Sequence, residues 1–421
     1  MATTEQATEV VVEHQVVDAQ PLRTRIGVGA FLVLLGVVSL WFLGLKLDGS
    51  AKAHLNKLVL PGLATGVVVG VVILALAGYQ LARGFRRQQV GLVLGGSLLL
   101  FVVAFLTWVS AHGDGARVDL TGLLQNSIGL AVPLMLGAMA GVLCERSGVI
   151  NVAIEGQMLA GAFGAALIGS VAGSWFGLVG AAVFGALIGA ILAVFAIKYL
   201  VNQVVLGVVL NVFALGLTGF FYDAFMQQNT QALNTPKVFK PIDLPVLGDI
   251  PFIGPLLFQA NIVVYLTYVI IVAVDVALFR TRWGLRTRAI GEHPKAADTV
   301  GIKVLAMRYR NVIIGGAIAG IGGAYFTVGS VGAFGKNITS GNGFIALAAL
   351  IFGRWSPRGA VAASLLFGFA SALQTLLSFT VPGIPSNFLA MLPYVATILA
   401  VAGLVGRVRA PAADGEPYVA R

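Results

Sequence analysis

The strongest constraint on the fold of this chain is a series of long apolar runs divided by short loops rich in arginine and lysine. Hydrophobic residues make up 58% of its 421 residues and charged residues only 10%, so one soluble domain could not keep this much apolar surface from water. The runs are continuous rather than alternating, and most approach the ~20 residues that a helix needs to cross a bilayer. Backbone groups in hydrocarbon must be hydrogen-bonded internally. The sequence therefore predicts an all-α polytopic membrane protein.

Twelve hydrophobic elements follow one another, and we expect ten to twelve transmembrane helices. Counted alternately from a cytoplasmic N-terminus, they leave most of the basic loops inside, as the positive-inside rule requires, and they return the C-terminus to the cytoplasm. The predicted elements are 26–45, 58–82, 90–111, 121–143, 157–172, 176–197, 203–222, 261–279, 312–331, 344–352, 361–377 and 388–405.

Composition distinguishes the two ends of the chain. Residues 1–22 are polar and acidic and predict a disordered cytoplasmic tail. Residues 408–421 are expected to form a second cytoplasmic tail.

The loop 280–310 carries eight lysines and arginines against only Glu292 and Asp298, which places it in the cytoplasm. Pro294 suits a first helical turn, and small apolar residues recur after it at helical spacing, at Ala296, Ala297, Val300 and Val304. Two interpretations stand side by side. The loop either holds two spans in register or forms a short amphipathic helix for a membrane surface or a partner's groove.

Polar residues and glycines interrupt two apolar segments, 145–158 and 339–344, in the two halves of the chain. Such a pair is the best sequence indicator of a transporter's central site, because opened helix ends offer free N–H and C=O groups to a polar solute. The candidate pathway residues are Asn151, Glu155, Asn342 and Phe344, with Asn211 as a weaker candidate.

Glu155 is the sharpest of these candidates. A carboxylate near the bilayer centre costs about 2.5–3.5 kcal/mol on insertion scales, so it should face a cavity or a partner. The alternative places Glu155 at the cytoplasmic mouth in a structural pair with Arg146.

Glycines recur four residues apart at Gly66/Gly70, Gly185/Gly189 and Gly316/Gly320. Small residues at this spacing let helix backbones approach closely in lipid. Tight packing of the helix bundle is therefore the predicted role of these pairs.

Several chemistries are excluded or disfavoured. Cys144 is the only cysteine, and the four histidines are scattered, so neither an internal disulfide nor a metal site is expected. Residues 329–337 lack the glycine spacing and the Ser/Thr after lysine of a phosphate loop, so ATP would have to be hydrolysed by another protein. No cofactor is expected. We attribute the net charge of +10 to orientation and to attraction to anionic lipid rather than to nucleic acid.

Three motifs, in order, resemble those of ABC importer permease subunits, in the binding-protein-dependent branch that imports nucleosides and simple, ribose-type sugars. Together they cover residues 121–407. The resemblance therefore implies a core permease domain at 116–407, preceded by an N-terminal extension at 23–115 with about three transmembrane helices. The motifs are Gly148-Val149-Ile150-Asn151 with Ile154-Glu155-Gly156-Gln157-Met158, then Gly284-Leu285-Arg286 with Arg288-Ala289-Ile290-Gly291-Glu292-His293-Pro294, and Gly341-Asn342-Gly343-Phe344-Ile345-Ala346 with Ile351-Phe352-Gly353-Arg354-Trp355.

The resemblance implies a permease fold in a bacterial inner membrane that moves nucleosides, or simple sugars, by alternating access. It implies a cytoplasmic ABC ATPase, a second homologous permease or a self-dimer, and an extracytoplasmic substrate-binding lipoprotein. The loop 280–310 would be the coupling loop, and its residues 291–302 would dock on the ATPase, through Gly291, Glu292, Pro294, Ala296, Ala297 and Gly301.

Two other functions remain open at this point. An ion-coupled secondary transporter would need titratable groups within the membrane, and only Glu155 and Asp275 qualify. A membrane scaffold or enzyme would move no solute, and the sequence shows no nucleophile or metal-ligand motif for an enzyme.

Overall fold

A computed structural model describes residues 22–47, 52–55, 58–112, 119–380, 391 and 409–419. Within these residues, ten helices are long and apolar enough to cross a membrane. The main helices are α1 (Leu22–Val37), α2 (Gly62–Ala82), α3 (Arg87–His112), α4 (Leu120–Glu145), α5 (Ile154–Ala172), α6 (Ser174–Ala193), α7 (Gln203–Phe221), α8 (Thr230–Leu233), α9 (Ile253–Phe258), α10 (Ile262–Arg280), α11 (Arg282–Glu292), α12 (Pro294–Thr299), α13 (Val304–Ala324), α14 (Asn342–Phe352) and α15 (Pro357–Thr380).

Four of these helices carry a π-helical turn at or near the C-terminal end, and the described residues also contain two short pairs of strands. The π segments are Val38–Leu45, Val194–Lys198, Tyr222–Met226 and Thr327–Val331. The strands are β1 (Lys52–Leu55) with β2 (Leu58–Pro61) and β3 (Ile242–Asp243) with β4 (Gln259–Ala260), both antiparallel.

The predicted all-α architecture is confirmed. Eleven of the twelve predicted hydrophobic elements contain helices, although the one at 344–352 is part of α14, which has only 11 residues. The segment at 58–82 begins with strand β2, and its helix starts at Gly62. The predicted span 388–405 and the predicted tail 1–22 lie outside the described residues apart from Met391 and Leu22.

Two compact units divide the chain, one containing 1–122 with 374–406 and the other 123–373 with 407–421. In the first unit, α1, α2 and α3 share an apolar core that includes Leu32, Ile73 and Ala104. The guanidinium of Arg25 donates from Nε to the carbonyl of Gln80 at 3.2 Å, at the C-terminal end of α2, where helix carbonyls lack intrahelical partners.

The second unit is a bundle whose central contact is the crossing of α6 and α13. The predicted glycine pairs of these two helices pack directly on each other: a Cβ on Gly185 would overlap the backbone of Gly316 and Gly320, and a Cβ on Gly189 would lie 2.9 Å from the carbonyl oxygen of Val312. The prediction of close helix packing is therefore confirmed, and the two glycine pairs pack on each other.

The loops of the second unit sort as the alternating count predicts. Lys336 and Asp223, from two loops predicted outside, form an ion pair with an N–O distance of 2.6 Å. From loops predicted inside, Arg146 donates from Nε to the carbonyl of Trp355 at 2.8 Å, and the guanidinium of Arg288 lies 5.0 Å from the ring centre of Phe279. The connections on each predicted side thus contact one another.

Candidate translocation and coupling site

The two interrupted segments meet, and Glu155 is the contact between them. Its Oε1 accepts hydrogen bonds from the hydroxyl of Thr339 at 2.6 Å and the N–H of Gly341 at 2.8 Å. Its Oε2 accepts from the N–H of Gly343 at 2.6 Å. Glu155 begins the first turn of α5, and its carboxylate caps the N-terminus of α14, where unpaired N–H groups and the helix dipole favour a negative charge.

Glycine is required at this contact for steric reasons. A Cβ on Gly343 would overlap the backbone of Glu155, and Gly341 has a φ of 83°, in the left-handed region that favours glycine. The carboxylate of Glu155 can therefore reach the backbone of α14 directly. The alternative pairing with Arg146 is wrong, since in the described part of the chain Glu155 bonds to the second interrupted segment instead.

Asn151 and Asn211 stabilise the break that precedes α5. Asn151 is fully buried and exchanges amide hydrogen bonds with Gln157, at 3.0 and 3.3 Å. Asn211, on α7, accepts from the N–H of Gly156 at 2.8 Å and donates to the carbonyl of Val152 at 2.9 Å. Asn211 thus satisfies backbone groups that the interrupted helix leaves open, whereas Asn151 links the residues before the break to the side chain of Gln157 in α5.

Asn342 and Phe344 lie at the start of α14 in different environments. The amide of Asn342 donates to the carbonyl of Thr339 at 2.7 Å, whereas Phe344 is 48% exposed. The five predicted pathway residues thus form two groups around the start of α5: Glu155 with the start of α14, and Asn151 with Asn211. Their pathway role stays a prediction.

Sequence analysis missed the residues that complete these networks. Thr339 and Gln157 stand inside the interrupted segments but were not singled out, although both are polar side chains in apolar surroundings. Gln203 accepts from the N–H of Ile150 at 2.7 Å, and its position as the first residue of α7 gave no indication of this contact.

A cavity of about 290 Å³ lies between α4, α10, the end of α13 and the loop that precedes α10. Gln125, Gln259, Asn261 and Tyr325 supply polar groups to its lining. A Cβ on Gly129 would lie 2.6 Å from the hydroxyl of Tyr325, so this glycine makes room for the ring. Within the described residues the Tyr325 hydroxyl forms no hydrogen bond, which leaves it free to bind a solute.

The predicted coupling loop contains α11 and α12, and Pro294 is the first residue of α12, as expected. Gly291 is buried and packs so closely on the carbonyl of Arg146 that a Cβ would overlap it. Burial lowers the pKa of the Arg146 guanidinium, while Glu292 partly offsets this effect.

The prediction that a single helix carries all the small apolar residues of this loop is wrong. α12 ends at Thr299 and Gly301 has a φ of 79°, so the helical spacing does not continue to Val304, the first residue of α13. Ala297 and Val304 are buried, whereas Ala296 and Val300 are exposed. The outward surface of the loop is therefore formed by Ala296, Val300 and the charged residues around them.

A family model described as "Branched-chain amino acid transport system / permease component" matches residues 123–403. The chain belongs to this permease family. It is 42% identical to the guanosine ABC transporter permease protein NupQ of Bacillus subtilis, over 69% of this chain and 93% of that protein. It is 38% identical to the nucleoside ABC transporter permease protein NupC of Lactococcus lactis, over 70% of this chain and 96% of that protein.

A more distant relative is the putative glucose ABC transporter permease protein TsgC13 of Haloferax volcanii, which is 34% identical over 60% of this chain and 77% of that protein. No solved structure matches the chain. The family model leaves α1, α2 and α3 outside its match, so these helices are additional to the family's shared region.

The chain is a membrane-spanning permease subunit of an ABC importer rather than an ion-coupled transporter. The two titratable groups that an ion-coupled transporter would need both have bonding partners in the structure. Glu155 binds the start of α14, and Asp275 forms an ion pair with Arg358 on α15, at 2.9 Å, rather than with Arg280 of its own helix.

Proposed function

We propose that this permease imports nucleosides in preference to simple sugars. The observation that carries the proposal is the 42% identity to a guanosine permease over 93% of that protein's length. A putative glucose permease is more distant, at 34% identity over 77% of its length. A nucleoside combines an aromatic base with a polar ribose, so its pathway needs both apolar surface and hydrogen-bonding groups.

The 290 Å³ cavity is the proposed entry site for the solute. It combines the free hydroxyl and aromatic ring of Tyr325 with the amide of Gln125 and apolar side chains such as Ile128 and Val264. The loops around it are those predicted outside, where an external substrate-binding lipoprotein would deliver the solute. Binding at this entry site would be weak, because tight binding would hinder release onward into the membrane-spanning pathway.

The proposed assembly contains a cytoplasmic ABC ATPase, which hydrolyses ATP, and a second permease that is either a homologue or another copy of this chain. ATP binding would close the ATPase subunits, and the exposed surface of α12, with Ala296 and Val300, would transmit that motion to α11 and α13. The two helix starts joined by Glu155 would then move as one body, since three hydrogen bonds link them. The proposed location is a bacterial plasma membrane, with both termini in the cytoplasm.

Uptake measurements test the substrate class and the energy source together. Cells lacking this chain, and cells restored with it, are given labelled guanosine, uridine, ribose or glucose, with ATP and the proton gradient depleted separately. We expect restoration of nucleoside uptake that disappears with ATP and persists without the gradient. Restoration of ribose or glucose uptake alone would contradict the nucleoside assignment, and dependence on the gradient would contradict the energy source.

A further inference from the structure

The C-terminal segment 409–419 lies directly on the coupling loop. The N–H of Ala413 donates to the carbonyl of Gly291 at 2.9 Å, and the N–H of Ala412 donates to Oε2 of Glu292 at 3.2 Å. Gly291 and Glu292 end α11 and precede α12 by one residue. The segment therefore binds where the orientation of α12 is set.

Tyr418 anchors the other end of this segment. Its side chain is 6% exposed and packs in an apolar cluster with Ile290, Ala297 and Val304, from α11, α12 and α13. One aromatic side chain thus joins all three helices of the coupling region.

Arg308, on α13, binds the segment between its two ends. Its Nη1 donates to the carbonyl of Glu416 at 3.1 Å, and its Nε donates to the carbonyl of Ser147 at 3.1 Å. The guanidinium also lies 5.9 Å from the ring centre of Tyr418. The segment is consequently tied to the turn after α4 as well as to the coupling loop.

A pair of carboxyl groups lies under the middle of the segment. The carboxyl groups of Asp414 and Glu145 are close neighbours, and Oδ1 of Asp414 is buried without a hydrogen-bond partner in the described part of the chain. Glu145 accepts a hydrogen bond from the indole N–H of Trp355. Two buried carboxyl groups this close favour a state in which one of them carries a proton. Arg308 is the facing cation, and the Cys144 thiol is the other titratable group close to the pair.

We propose that segment 409–419 is a proton-dependent clasp that positions α12 for the ATPase. The inference rests on the proposed docking of the ATPase at this loop. With six residues, α12 is too short to be a stable helix alone, so its orientation depends on tertiary contacts. The clasp supplies contacts at both ends of α12, and Asp414 docks with its proton and is released without it.

The direction of the pH effect follows from the site. Burial and the neighbouring Glu145 carboxyl raise the pKa of Asp414 to about 8, well above the ordinary carboxyl range, and Arg308 offsets only part of this shift. Docking of the segment is therefore strongest at pH values below the ordinary pKa of a carboxyl group, and it is lost as the pH rises toward about 8. Between these limits the docking equilibrium weakens by up to about tenfold per pH unit.

The first test uses the full transporter in inside-out vesicles, so that the buffer bathes the cytoplasmic side. Nucleoside-stimulated ATP hydrolysis is measured from pH 6.5 to 8.5 and divided by the activity of the isolated ATPase at each pH. We expect stimulation to fall with rising pH in the wild type and to become independent of pH in Asp414→Asn. Glu416→Gln removes an exposed carboxylate two residues away and should retain the wild-type profile.

The second test measures docking itself, by hydrogen exchange of the peptide that contains Ala412 and Ala413 in the same complex. Protection should fall with rising pH in the wild type, stay high in Asp414→Asn, and disappear in Tyr418→Ala, which removes the anchor. Protection that is equal in Tyr418→Ala and wild type would overturn the clasp.

Ala296→Glu separates failure of the clasp from failure of the proposed function. If this variant loses stimulation while Asp414→Asn and Tyr418→Ala keep the wild-type value and pH profile, the clasp is overturned and ATPase docking at the loop stands. If Ala296→Glu also retains full stimulation, docking at this loop is itself overturned.

Discussion

Glu155 and Gly343 lie 188 residues apart in the chain and are in direct contact: the carboxylate of Glu155 accepts the N–H of Gly343 at 2.6 Å, and Gly343 has no Cβ to separate the two backbones. This contact joins the start of α5 to the start of α14, and thus the two interrupted segments to each other. In a transporter that alternates between two states, such a joint makes two helix starts move together.

Glu155→Gln should destabilise the permease because the amide replaces a charged acceptor of three hydrogen bonds. Hydrogen bonds to charged groups each contribute about 1.5–3 kcal/mol, so we expect at least a loss of this size in the free energy of unfolding. Unfolding in detergent, followed by circular dichroism, measures it. Asp223→Asn, in the exposed ion pair with Lys336, is the control and should cost under about 1 kcal/mol. Equal stability of the two variants would contradict a structural role for Glu155.

Asn211→Leu should destabilise the start of α5, since it leaves the N–H of Gly156 and the carbonyl of Val152 without their partners. Each buried polar group left unpaired costs about 1–3 kcal/mol. The midpoint of unfolding should fall, and uptake should fall with it. Val212→Ala, at the neighbouring position that is 65% exposed, should leave both nearly unchanged. Loss of uptake at unchanged stability would instead assign Asn211 to solute binding.

Tyr325→Phe should weaken nucleoside uptake without weakening the fold, because the hydroxyl forms no hydrogen bond with the described residues. One hydrogen bond to a solute is worth about 0.5–1.5 kcal/mol, so KM for uptake should rise about three- to tenfold. Tyr268→Phe is the matched control: its hydroxyl is also unpaired among the described groups, but Tyr268 does not line the 290 Å³ cavity. The same KM in both variants would argue that this cavity is not the entry site.

Ala296→Glu and Val300→Glu should uncouple ATP hydrolysis from uptake while the permease stays folded, since both side chains are exposed on the outward surface of the coupling loop. Ala296→Ser, which adds only a hydroxyl, should remain coupled. The measurement compares nucleoside-stimulated ATP hydrolysis with uptake in the same vesicles, and retention of both in the two glutamate variants would place the ATPase elsewhere. Ala297→Glu and Gly291→Arg are poorer tests, because both positions are buried and the substitutions would disturb the loop itself.

The order and approximate limits of the described spans were predictable from sequence, because a bilayer imposes one requirement on every segment: about 20 apolar residues with internally paired backbone groups. Sequence patterns also identified the basic loop, the helix start at Pro294 within it and the two interrupted segments. The resemblance of three motifs added the family. Gly185 and Gly316 show the limit of prediction from local sequence. The four-residue spacing of each glycine pair predicted close helix packing, but it did not predict that the two pairs pack on each other.

Only the tertiary structure decided which polar groups complete one another. The partners of Glu155 lie 184 or more residues away, and no periodicity within either segment encodes that separation. Gly301 ends the helical spacing of the coupling loop through a left-handed backbone, which a count of apolar positions does not detect. The docking of Tyr418 on Ala297 likewise joins a short polar tail to a distant loop. Each membrane span is determined by the apolar solvent around its own residues. These contacts depend instead on which distant residues the folded bundle brings together.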